Sequence, residues 1–107
     1  MKNLGIVLTI SLTLLGTVSC DKSKKLNSSE IEDLTYLREE EKVARDVYLY
    51  AFDKYGETTF QNISNSEQKH MDKVLELLNE YDLPDPALAE RGMFKNNELQ
   101  MLYDDLT

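Results

Sequence analysis

Glu67-Gln68-Lys69-His70 sets a carboxylate and an imidazole three residues apart, inside the series Phe60, Ile63, Glu67, His70, Val74, Leu77 and Tyr81. Steps of three and four put the whole series on one stripe of a helix, so Glu67 and His70 face the way the apolar residues must face to be buried. A carboxylate in a dry core is costly without an opposite charge, and a metal ion is the usual partner when a histidine shares the site. A second stripe, Leu34, Leu37, Glu41, Ala44, Tyr48, Ala51 and Tyr55, repeats the spacing with Glu41 as its one acid. Two helices that each turn a carboxylate inward are expected to share a cation.

Each of these residues also has a plainer reading. A histidine on an apolar face is commonly a hydrogen-bonded core residue, but Glu67 one turn away and Glu41 on the neighbouring stripe favour a ligand. Glu39 and Glu40 compete with Glu41 for the inward position. Their neighbours assign them to a solvated flank, where spaced pairs such as Glu41 with Arg45 could also form. Tyr48 fits core packing with a satisfied hydroxyl as well as it fits a hydrogen-bonding role that orients a ligand. Oxygen donors plus imidazole suit Fe, Mn or Zn without selecting among them.

The elements that must position these residues follow from punctuation. Ser29-x-x-Glu32 fits a capping box and Gly56 a stop, so the first helix should run from there to about Tyr55. Thr58 or Thr59 can cap a second helix that reaches about Tyr81, before Leu83-Pro84-Asp85-Pro86 ends it. So few residues join the two that they must form an antiparallel hairpin. Residues 87–95 read as loop or a short turn, and Asn96 can cap a last helix carrying Leu99, Leu102, Tyr103 and Leu106.

Glu41-Lys42-Val43-Ala44-Arg45-Asp46-Val47-Tyr48 resembles the Glu-x-x-Ala-Arg-x-x-Tyr of the first rubrerythrin helix, and residues 60–78 around Glu67-x-x-His70 resemble the second. LREEEKVARDVY, FQNISNSEQKHM and FKNNELQMLYDDL are more similar still to a bacterial ferritin-like family of unknown function, over roughly residues 34–107. The resemblance implies an all-α, ferritin-like fold, here one antiparallel helical hairpin, half of a four-helix bundle, plus a short C-terminal helix. It also implies a carboxylate-bridged di-iron site with oxidase- or peroxidase-type redox activity, in which Glu41 is a terminal or bridging ligand, Glu67 a bridging carboxylate and His70 a nitrogen ligand. Such bundles use four carboxylates and two histidines. This chain supplies half of them, so a homodimer or a missing second helix pair is expected to supply the rest. Val43, Val47 and Tyr50 add apolar positions beside the main stripe, which argues for the same partner.

The chain has 107 residues and a formal charge of −8, which supports one small domain and disfavours nucleic acid as a partner. Lys2, the apolar run from Leu4 to Leu15 and the small residues before Cys20 resemble a bacterial lipoprotein signal. Residues 1–19 are therefore expected to be a signal peptide, 20–28 a lipidated cysteine with a flexible tether, and 29–107 a ferritin-like half-domain. Such a protein is exported and held at a membrane through lipid on Cys20. A lone cysteine makes no disulfide and excludes the four-cysteine iron domain of a complete rubrerythrin from these residues. A second reading stays open: a non-enzymatic helical lipoprotein whose seam serves as an interaction module, with Glu67 and His70 as a polar pair.

Overall fold

A computed structural model describes residues 25–107; the expected signal peptide, Cys20 and the start of the expected tether lie outside them. The described residues form three helices and no strand: α1 (Ser28–Tyr55), α2 (Thr58–Glu80) and α3 (Asn97–Leu106). The all-α hairpin with a short terminal helix is the expected architecture.

The first cap lies two residues earlier than the sequence suggested. The Asn27 side chain accepts from the Glu30 amide at 2.8 Å, while Glu30 accepts from the Asn27 amide at 3.0 Å. This reciprocal box wins over Ser29 with Glu32 because Leu26, just before it, packs on the cluster of Leu34, Leu37, Val74, Leu77 and Leu78, which fixes where the chain enters. Gly56 ends α1 in the left-handed region at φ 70°, and its amide donates to Phe52 O. Neither Thr58 nor Thr59 caps α2: both lie in its first turn, and Glu57 takes the cap position without a side-chain bond. A two-residue link leaves no room for a threonine to stand outside the helix.

α2 closes without glycine. Asp82 takes φ 56°, the Leu83 amide donates to Leu78 O and the Asp82 amide to Asn79 O. That pattern satisfies the last carbonyls of the helix, and Leu83 returns to the leucine cluster beside Leu78. The hairpin is antiparallel, as its partners show: Arg38 meets Met71, Glu41 meets Glu67 and His70, and Tyr48 meets Phe60.

Residues 83–96 are not a free loop but a strap laid along α1 and fastened by its polar face. The Arg38 guanidinium grips Asp85 with two bonds of 2.9 Å. Lys42, only 1% exposed, donates to Glu90 O and Met93 O, pairs with Asp46 at 3.1 Å and stands 4.4 Å from the Phe94 ring centroid. Asp46 in turn accepts from the Gly92 amide, and Glu39 from the amides of Lys95 and Asn96. Arg38, Lys42 and Asp46 lie four residues apart, so one row of a helix carries the strap.

The strap delivers α3, capped by Asn96 as expected, onto another flank of α1. There Val43, Ala44 and Val47 are buried with Phe94 and Leu99, and Leu102, Tyr103 and Leu106 pack around them. Val43 and Val47 are therefore covered within the chain, and their apolar character no longer argues for a partner. Tyr55, expected on the seam, is 49% exposed, because the seam ends where Gly56 turns the chain.

Candidate metal centre

Midway along the seam, α1 brings Glu41 and α2 brings Glu67 and His70 to one point. Leu37 and Val74 pack on one side of it along the helices, and Tyr48 with Phe60, whose rings lie 6.2 Å apart, on the other. Both glutamates have zero exposure, while the His70 side chain keeps 23%. His70 Nδ1 is 3.2 Å from Glu41 Oε2 and 3.4 Å from Glu67 Oε2, and one ligand atom from each residue lies within 4.8 Å of the other two. Donors held at about 2.0–2.2 Å from a single ion stand roughly 3–4 Å apart, so the spacing suits one cation with little movement.

What singles the cluster out is that no protein group donates to it. Both oxygens of Glu41, both of Glu67 and Nδ1 of His70 are buried without a hydrogen-bond partner. The α1 bases nearest Glu41 are all committed elsewhere: Arg38 to Asp85 and Met71 O, Lys42 to the strap and Asp46, and Arg45 to Asp46 and Gln68. The spaced pair of Glu41 with Arg45 does not form, because Asp46 is the closer acid for Arg45 at 2.9 Å. A buried carboxylate left without a cation or donor is strongly disfavoured. The metal-free protein answers with a proton: burial, and then the neighbouring Glu41 carboxylate, push the Glu67 carboxyl up to about 9. Burial and, after it, the charge of Glu67 also raise the Tyr48 hydroxyl.

Glu39 and Glu40, expected on a solvated flank, are both buried at 4% exposure. Glu39 is satisfied by the strap amides. Glu40 has a buried Oε1 with no donor, and burial, followed by the charge of Glu41, raises its carboxyl to about 7. Arg38, Lys42 and Asp46 were not singled out in the sequence, although three charged residues at intervals of four in mid-helix were the available signal.

A relative in Methanocaldococcus jannaschii, the Uncharacterized protein MJ0754, is 42% identical over 94 residues. The match takes in 87% of this chain but 51% of the relative, so the chain spans about half the length of the curated protein it matches. No solved structure matches it. The family model described as Uncharacterized protein domain (DUF2202) matches residues 30–107, from the first turn of α1 through the hairpin that holds the cluster, the strap and the last helix, and the chain belongs to that family.

Proposed function

We propose that this protein is a ferritin-like metal-binding protein, in which Glu41, Glu67 and His70 hold a divalent ion, iron first and Mn or Zn as alternatives. The observation that carries the reading is the set of buried carboxylate oxygens and imidazole nitrogen that receive nothing from the protein. A bound ion would replace the proton that Glu67 otherwise keeps. Iron in such a carboxylate setting supplies oxidase- or peroxidase-type redox chemistry. The chain's own part is to supply oxygen and imidazole donors, to exclude water through the leucine and aromatic layers, and to orient ligands through Tyr48 near Glu67.

Three ligands make half of a two-metal carboxylate site. A second copy, or a second helix pair joined to this one, would contribute the remaining carboxylates and histidine at the edge where His70 meets solvent. The unmatched half of the archaeal relative is long enough to hold such a pair, which supports the second form. We also propose, from the Lys2 to Cys20 segment, that the protein is exported and lipid-anchored; lipid labelling that survives Cys20→Ala would disprove this.

Thermal melts with and without anaerobic Fe(II), Mn(II) or Zn(II) test the metal reading. Wild type should melt higher with metal, and His70→Ala and Glu67→Ala should lose both the bound ion and the rise. Glu41→Leu should lose metal while stabilising the metal-free protein, because it removes one of two facing buried acids. No metal-dependent shift in wild type, with His70→Ala merely destabilising, would turn the reading to the interaction module.

A further inference from the structure

Cations are shared unevenly between the buried acids of α1. Asp46 accepts from Lys42, from Arg45 and from the Gly92 amide, while Glu41, equally buried, receives no hydrogen bond. Arg45 makes the difference. It follows Glu41 by four residues, the order of charges in which such a pair is favoured, and it stands about 40° round the axis from Glu41 but about 100° from Asp46. A buried acid without a partner also gains more from a cation than one that already holds a lysine. The guanidinium nonetheless goes to Asp46, and α2 grips it from its other edge. Nε and Nη2 stand 2.9 Å from Asp46 Oδ1, and Nη1 donates to Gln68 Oε1 at 2.7 Å. Gln68 is itself fixed with its oxygen toward Arg45, because its Nε2 donates to Asp72 at 2.8 Å.

We infer that Gln68, which lies between Glu67 and His70 in sequence, is a positioning residue for the metal centre and acts through Arg45: it holds the guanidinium on the Asp46 side and so keeps it off Glu41. The inference rests on the metal reading above and adds to it the residue that reserves the carboxylate for an ion. A guanidinium on Glu41 would neutralise the buried acid as a metal does, and an ion would then have to displace it. Gln68 leaves α2 about 100° round the axis from Glu67 and stands outside the cluster of donors, so its effect on binding runs through Arg45 alone.

Anaerobic titration of the full chain with Mn(II), counting free ion by its six-line electron paramagnetic resonance signal, tests this role. Gln68→Ala should weaken Mn(II) binding roughly tenfold, the scale of coupling within one network of charges. Gln68→Glu, which keeps an acceptor for Arg45, should bind at least as tightly as wild type. Adding Arg45→Gln to Gln68→Ala should restore the wild-type isotherm, because the competing cation is gone; a merely structural glutamine would not be rescued by a second substitution. Melts of the same variants give a second readout: the metal-induced rise in melting temperature should shrink in Gln68→Ala and return in the double variant. A Gln68→Ala isotherm that overlays wild type, or a weakening that Arg45→Gln leaves in place, overturns the role of Gln68 and leaves the metal site standing. Uptake of no ion by wild type overturns both.

Discussion

At the scale of single residues, the centre is defined by which donors are withheld from it. Arg38, Lys42 and Arg45 surround Glu41 in sequence and every one is turned to another acid. The metal-free chain must then keep protons on acids that would be ionised when unfolded, and this gives its stability a definite dependence on pH. Glu67 rises from 4.5 to about 9 and Glu40 from 4.5 to about 7 on folding. Each raised carboxyl binds its proton more tightly in the native state, so its stabilising effect is complete below about 4.5 and is lost as pH climbs through the native value. Across pH 5 to 9 in the presence of a chelator, the denaturation midpoint should therefore fall, and Glu67→Gln should flatten the slope. A midpoint that climbs over that range would contradict the assignment. With metal the trend reverses, since the ion competes with those protons.

At the scale of elements, the strap is the part that most needs its fastenings. Removing Lys42 would strand Asp46 with one cation fewer and leave the carbonyls of Glu90 and Met93 without their donor. Breaking a buried pair in this way costs about 3–5 kcal/mol, so Lys42→Ala should lower unfolding free energy by an amount of that order in urea titration. A loss under 1 kcal/mol would mean the strap is held by apolar packing alone. The strap also explains what could be read from sequence and what could not. The seam was legible because Leu34, Leu37, Glu41, Ala44 and Tyr48 recur at helical spacing against a matching stripe. Glu39 was not, because the element that covers that flank of α1 has no periodicity and bonds through backbone amides, which leave no trace in residue type. Asn27 outcompeted Ser29 for a similar reason: the deciding partner, the leucine cluster that Leu26 joins, is assembled only in three dimensions.

At the scale of the whole molecule, α3 and Phe94 cover Val43 and Val47, so the apolar flank of α1 needs no second chain. The edge of the hairpin at His70, whose side chain keeps 23% exposure, is where the proposed metal reading would have further ligands enter. Association should accordingly follow the metal: in sedimentation at micromolar concentration, the chelated chain should run smaller than the Fe(II)- or Mn(II)-loaded one, and His70→Ala should cancel the difference. A dimer that ignores metal would point instead to the interaction module.

The amides of Gly92, Lys95 and Asn96 end on carboxylates that α1 holds beneath the strap. Deuterium should enter them slowly for an irregular segment, because each proton is released only when the strap peels from the helix. Their common exchange rate would thus time the opening of the C-terminal third of the fold, independently of any event at the hairpin seam.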